Sequence, residues 1–254
     1  MTTPSAPFFT VTLASTPDEL EAAQRLRYDV FVKELGGGGS LVDHEKQLEI
    51  DRFDPFFDHL ILKDRARRQI VGVYRVMRRD QAKAAGGFYS ASEYDLDQLL
   101  NSGRSVLELG RSCLHPDYRG GMAMYHLWSG LAAYIDEHQI EVLFGVASFH
   151  GTDPHSLAAP LSLLHQRHLA PPDLRVRARA EAFQPMDLVD AKLLDQRAAM
   201  TQVPSLIKAY LRLGGFVGEG AFIDHDFNTT DVCLILDTAR MNQKQARLYK
   251  GQGA

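Results

Sequence analysis

The segment Leu107-Glu108-Leu109-Gly110-Arg111-Ser112-Cys113-Leu114 sets an acid and a base inside an otherwise apolar strand. Taking a charge out of water is costly unless it is paired, so something must need both groups there. A desolvated carboxylate has a raised pKa and can act as a base, which makes Glu108 the expected proton acceptor, with Arg111 beside it in a catalytic site. Residues three apart on a regular strand point to opposite faces. Gly110 lies between them, and a bulge there would re-aim one side chain. Simple alternation turns Cys113 away from Glu108, and it reads as a buried thiol.

Two further groups carry chemistry. Arg119-Gly120-Gly121 precedes an apolar pattern at helical spacing; a glycine turn opening a helix offers free N–H groups and the positive end of the helix dipole, a cradle for phosphate. Glu49-Ile50-Asp51-Arg52-Phe53-Asp54 holds three carboxylates that repel one another unless cations meet them. Arg27, next to apolar Leu26, and Arg75, in a strand, are the cations available. Together these charges would suit a ligand bearing both ammonium and carboxylate; a solvated acidic loop and internal ion pairs are the plainer alternatives.

The elements that must position these groups follow from patterning. Phe8 to Leu13 reads as a first strand, and Thr16-Pro17-Asp18-Glu19 as a helix start. Leu20, Ala23, Leu26, Val30 and Phe31 continue that helix up to Gly36-Gly37-Gly38-Gly39, and residues 36–47 are expected to be flexible. His59 to Lys63 and Ile70 to Met77 predict a hairpin, residues 80–104 a polar insert, Met122 to Ile135 a helix, and Val142 to Phe149 an apolar strand. Helices follow over Pro154 to His168 and Pro204 to Leu213, then strands over Val217 to Ile223 and Val232 to Leu236. This order predicts an α/β fold, a mixed central sheet with helices on both faces. A single domain is expected over residues 1–238, with insertions near 80–104 and 169–203 and a polar tail at 239–254.

At 254 residues the chain can bury a full core, and 28 basic against 32 acidic residues give a net charge of −4, so nothing advertises nucleic acid. Cys113 and Cys233 sit in apolar runs, as in a reducing compartment. Met1 to Thr10 lacks the pattern of a secretory signal, and no apolar run reaches the roughly 20 residues of a membrane span, so a cytoplasmic protein is expected. Asp224-His225-Asp226, Asp231 and His150 have no diagnostic ligand spacing; capping and turn roles, with Asn228-Thr229-Thr230 as the turn, are expected, and no metal.

Arg27-Tyr28-Asp29-Val30-Phe31-Val32, the acidic run ending Asp51-Arg52-Phe53-Asp54, Arg75, and Glu108 with Arg111 resemble the acyl-homoserine lactone synthases, which are GNAT-like and take acyl groups from acyl carrier protein. That resemblance implies functional roles for Arg27, Phe31, Asp51, Asp54, Arg75, Glu108 and Arg111. Arg119-Gly120-Gly121 resembles the GNAT pyrophosphate loop, one residue shorter than the usual spacing. It implies binding of the 4′-phosphopantetheine arm of a carrier protein more than free coenzyme A.

A longer resemblance runs through Gly86-Gly87-Phe88-Tyr89-Ser90-Ala91-Ser92-Glu93-Tyr94-Asp95-Leu96, Leu143 to Phe149, Gly151-Thr152-Asp153-Pro154 and Gly220 to Asp231. These stretches are similar to the bacterial L-ornithine Nα-acyltransferases. The resemblance implies transfer of a 3-hydroxyacyl group from acyl carrier protein to the α-amine of L-ornithine, giving lyso-ornithine lipid, with no tightly bound cofactor and peripheral contact with the inner membrane. Glu108 would be the base, Asp51 and Asp54 would hold ammonium groups, and Arg27 or Arg75 the carboxylate. A homoserine lactone synthase using S-adenosylmethionine and a non-catalytic acyl-carrier-binding module are the alternative readings. Arg175, Arg177 and Arg179, with Arg167, form a local basic patch for carrier protein, anionic lipid or plain solvent.

Overall fold

A computed structural model describes residues 8–38 and 42–242. The expectations for the segment before Phe8, for residues 39–41 of the glycine-rich stretch and for the tail beyond Asn242 lie outside the described residues.

Nine strands share one sheet: β1 (Phe9–Leu13), β2 (Asp58–Asp64), β3 (Gln69–Arg78), β4 (Val106–Leu114), β5 (Val142–His150), β6 (Phe183–Gln184), β7 (Phe216–Val217), β8 (Ala221–Asp224) and β9 (Thr229–Asp237). They run in the order β1-β2-β3-β4-β5-β9-β8-β6, with β7 also paired to β9. Every pairing is antiparallel except β4 with β5, which is parallel and spans only Val106 to Glu108 against Val142 to Phe144. Leu109 and Gly145 still touch, and beyond them the two strands part and open a cleft in the middle of the sheet.

Helices α1 (Pro17–Arg27), α2 (Arg79–Ala85), α3 (Ala123–Glu137), α4 (Ala158–His168), α5 (Gln196–Gln202) and α6 (Ser205–Arg212) cover both faces, as the pattern predicted. Strand alternation sorts the layers. Leu60 and Leu62 of β2 and Leu107 and Leu109 of β4 pack with Leu127, Trp128 and Leu131 of α3. Ile61 of β2, Val73 of β3 and Cys113 of β4 face the other way, onto Ala23 and Leu26 of α1.

α1 begins as its capping residues require: Thr16 Oγ1 accepts from the Glu19 N–H at 3.2 Å, and the Glu19 carboxylate accepts from the Ser15 N–H at 2.8 Å. It does not run on as an α-helix to Phe31. Tyr28–Glu34 is a π-helical turn, a wider coil common at functional sites. Residues 36–38 and 42–47 are more structured than the glycine run suggested, because Gly37 N–H bonds to Phe31 O at 2.8 Å and Val42–Asp43 pairs with Leu48–Glu49. The stretch 80–104 is likewise no polar loop. Its Phe88, Tyr94, Leu96 and Leu99 are buried with Phe53, Met77 and Phe144, and Tyr94–Asp95 pairs with Arg177–Ala178. Among the described residues no helix is long and apolar enough to cross a membrane.

Candidate functional site

Six charges meet beneath α1. Arg27, Arg75 and Arg111 face Glu49, Asp51 and Asp54, three cations against three anions. Arg27 Nη1 and Arg75 Nη1 each lie 2.7 Å from Asp54 Oδ1, and Arg75 Nη1 is also 2.7 Å from Asp51 Oδ2. Arg27 also pairs with Glu49. Arg111 Nε donates to Glu49 Oε1 at 3.0 Å, and Gln24 Nε2 donates to Asp54 Oδ2 at 2.9 Å. Arg27 and Arg75 are 0% exposed, Asp51 and Asp54 3%. Burial pushes the Asp54 and Glu49 carboxyls up, but the guanidiniums outweigh it and hold both below the ordinary carboxylate range. A cluster whose charges answer one another in this way is a scaffold, and Arg27, Arg75, Asp51 and Asp54 are turned to each other, not to open space.

Arg111 is the exception. Gly110 pairs with Arg75 and Cys113 with Val73, so Arg111 and Ser112 together oppose Tyr74. This is the expected bulge, placed one residue later than Gly110, and Arg111 itself takes the left-handed conformation with φ of 50°. The extra residue reverses the alternation. Arg111 swings toward Glu49 and Asp51, and Cys113 lands on the α1 face with Ile61 and Val73, the side opposite to that which simple alternation from Glu108 gave it. Burial pushes the Cys113 thiol up to about 12, as expected of an inert buried cysteine.

The cleft beside the bulge has a volume of about 380 Å³ and is walled by Arg111, Ser112, Tyr89, Phe31, Val146 and Phe227. The π-turn brings Phe31 to it. Arg111 lies over the rings of Tyr89 and Phe227 at 4.9 and 5.4 Å. Glu108 is not part of this wall. Its carboxylate is 1% exposed and accepts the N–H groups of Tyr89 at 2.9 Å and Ser90 at 2.6 Å. Burial raises its pKa despite those bonds. Nor do Glu108 and Arg111 form a pair with each other: one anchors the Tyr89 turn, the other the acidic cluster. The carboxylates that do reach the cleft are Glu93, Asp224 and Asp231.

The family follows from comparison with known proteins. A relative from Rhodobacter capsulatus named L-ornithine N(alpha)-acyltransferase is 56% identical over 246 residues, 95% of this chain and 94% of that protein. The chain belongs to the L-ornithine Nα-acyltransferase family. A member from Brucella abortus is 43% identical over 94% of this chain and 88% of its own. The acetyltransferase (GNAT) domain model matches residues 26–129, from the end of α1 into α3. Among solved structures, FeeM, an N-acyl amino acid synthase from uncultured soil microbes, superposes with a TM-score of 0.53 at 12% identity over 92% of this chain and 93% of that one. The CoA-dependent acyl-homoserine lactone synthase BjaI gives 0.53 at 14% identity over 95% and 88%. These last two likenesses are of fold.

In this N-acyltransferase family member, the Arg119-Gly120-Gly121 turn does open α3, and Gly120 has a left-handed φ of 74°. Among the described residues no side chain caps α3. Arg119 is held by Glu34, at 2.5 and 2.7 Å, and also donates to Leu114 O. Arg175 donates to Ala170 O, Arg177 pairs with Glu219, and Arg179 donates to Ala91 O. The last hairpin turns over 225–228, not Asn228-Thr229-Thr230, which leaves Thr229 and Thr230 in β9. Asp224 does cap that turn, accepting from Asp226 and Phe227 N–H groups, but Asp231 sits within the sheet opposite Ser148. Sequence reasoning missed the grouping of Glu93, Asp224 and Asp231. All three lie in the long motifs 86–96 and 220–231, which is the signal that could have found them.

Proposed function

We propose that this chain transfers a 3-hydroxyacyl group from acyl carrier protein to the α-amine of L-ornithine, releasing lyso-ornithine lipid. The observation that carries this reading is the 56% identity along nearly the whole of an L-ornithine N(alpha)-acyltransferase, together with a cleft at the parting of β4 and β5 large enough for an amino acid.

The chemistry is direct aminolysis of a thioester. The amine nitrogen attacks the carbonyl carbon, a C–N bond forms, the C–S bond breaks, and the thiol of the phosphopantetheine arm leaves with a proton. The α-ammonium must first lose a proton to a group within reach of the cleft. Glu108, enclosed by the Tyr89 turn, holds the wall in place, whereas Glu93, Asp231 and His150 line the cleft. Because β4 and β5 pair no further than Glu108 and Phe144, the edges they turn toward each other beyond that point supply the backbone N–H groups for the developing oxyanion. The phosphate of the donor arm meets Arg119, Gly120, Gly121 and the uncapped start of α3. An amphiphilic product calls for delivery at the inner membrane face, by peripheral contact.

The test is product formation. Purified protein is incubated with 3-hydroxyacyl carrier protein or the matching coenzyme A thioester, each with L-ornithine or S-adenosylmethionine, and products are read by mass. Nα-(3-hydroxyacyl)ornithine from the carrier-bound donor is expected. A lactone product, or no ornithine product from either donor, removes the proposal.

A further inference from the structure

Three carboxylates from separate parts of the chain converge in the cleft. Glu93 follows the Tyr89–Ser92 turn, Asp224 ends β8, and Asp231 lies on β9. One oxygen from each falls within 4.8 Å of the others. Glu93 is 5% exposed and Asp231 4%, yet among the described residues Glu93 Oε2 and Asp231 Oδ1 have no hydrogen-bond donor. The contrast with the Arg27 cluster is sharp: there each carboxylate has guanidinium partners, here two buried acceptors face a cleft empty-handed. Buried acceptors without donors are costly, and like charges so close repel. A cation entering the cleft relieves both.

We propose that Glu93, Asp224 and Asp231 bind the side-chain ammonium of a diamino acid and so select it over amino acids with uncharged side chains. The inference rests on the ornithine reading above and gives it a site. An ammonium group brings three N–H donors, and three carboxylates are offered to it. Arg111, on the same wall, supplies a cation for the ligand's carboxylate. That guanidinium also favours an organic monocation over a divalent metal ion, because it stands as a fixed positive charge in the same cleft. Burial first, and then the neighbouring carboxylates, raise the Glu93 and Asp231 pKa values, a penalty on the anions that a bound cation would offset.

The experiment measures binding, so it does not depend on the donor. L-ornithine and L-norvaline, the same carbon skeleton without the terminal amine, are titrated calorimetrically into the wild-type protein, D224N and E93Q. Asp224→Asn keeps an oxygen for the Asp226 and Phe227 N–H groups, and Glu93→Gln removes only charge, so neither substitution should lower the melting temperature. The wild type should prefer ornithine at least tenfold, the scale of a charge-assisted buried contact. Either variant should abolish most of that preference by weakening ornithine while leaving norvaline unchanged. A base role would instead lower the rate with both amino acids and leave the binding ratio intact, which overturns the proposal. So does Mn²⁺ binding that D224N abolishes while ornithine affinity is unaltered. If one variant fails to fold, the other decides. A wild type that binds ornithine selectively but forms no acyl product sinks the proposed reaction and not this site; one that acylates ornithine with a ratio insensitive to both variants sinks the site and not the reaction.

Discussion

Arg27 and Arg75, one from a helix and one from a strand, share a single carboxylate oxygen, Asp54 Oδ1, at 2.7 Å each. Two guanidiniums so close would repel without it, so Asp54 is the keystone of the buried charges that Arg111 joins.

Asp54→Ala should destabilise the fold by roughly 3–5 kcal/mol, because removing one partner strands buried charge. The sign of the pH effect follows from the depressed carboxyl groups. Asp54 and Glu49 titrate below their ordinary values of 3.8 and 4.5, so their contribution is complete above about 4.5 and is lost as pH falls through the folded values. Urea melts from pH 6 down to about 2 should show this loss in the wild type and a flatter profile in D54A.

Asp231 behaves oppositely. Burial and the neighbouring Asp224 push its carboxyl up to about 6, against the help of Ser148, Thr229 and Arg111. Its folded pKa exceeds the unfolded one, so this group costs least stability below pH 3.8 and the cost grows as pH rises through about 6. With Glu93 raised as well, ornithine affinity should strengthen between pH 5 and 7 as the anions form. Calorimetry across that range checks it, and a flat or falling affinity counts against carboxylate recognition.

Arg111→Lys keeps the charge but loses the planar fork that reaches Glu49 while facing the cleft. Ornithine kcat/KM should drop on the order of 100-fold, matching a loss of about 3 kcal/mol of transition-state stabilisation. Steady-state kinetics on the folded variant reads it.

Gly145→Ala tests the junction of β4 and β5. A Cβ there would stand 2.1 Å from Leu109 O, so the strands must separate. A loss of about 3 kcal/mol is expected, with activity falling even at temperatures where the variant stays folded. Denaturant melts and an activity assay on one preparation separate the two effects.

Arg119→Ala should raise KM for the carrier-bound donor severalfold and leave ornithine KM alone, because Arg119, Gly120 and Gly121 do not line the cleft that holds the carboxylate trio. Equal effects on both substrates would place Arg119 in scaffold work with Glu34.

Much of this was legible in the chain. The hairpin β2–β3, the acid and base of β4, the helix after Gly121 and the paired faces follow from alternation and glycine placement. What escaped was set by distance. Nothing local in Glu49 to Asp54 says that three arginines will meet it, and the insert at 80–104 looked polar because its buried Phe88, Tyr94 and Leu99 are spaced for a non-repeating surface. The bulge was foreseen near Gly110, but a glycine is only permission. The residue bent was Arg111, whose pairing with Glu49 and Asp51 compensates its left-handed backbone. Glu93, Asp224 and Asp231 lie 131 and 7 residues apart in order, so no spacing rule unites them.

The three-residue contact between β4 and β5 divides the sheet by chain order as well as by position. Strands β1 to β4 all precede residue 115, and the others all follow residue 141. Each side can therefore close through its own antiparallel pairings, β1 to β4 on one and β5 to β9 on the other, before the two are joined. Glu93 belongs to the early side and Asp224 and Asp231 to the late one. Ornithine, as a ligand held by all three, would then act as a clasp across the two halves, favouring the assembled molecule over any state in which they have come apart.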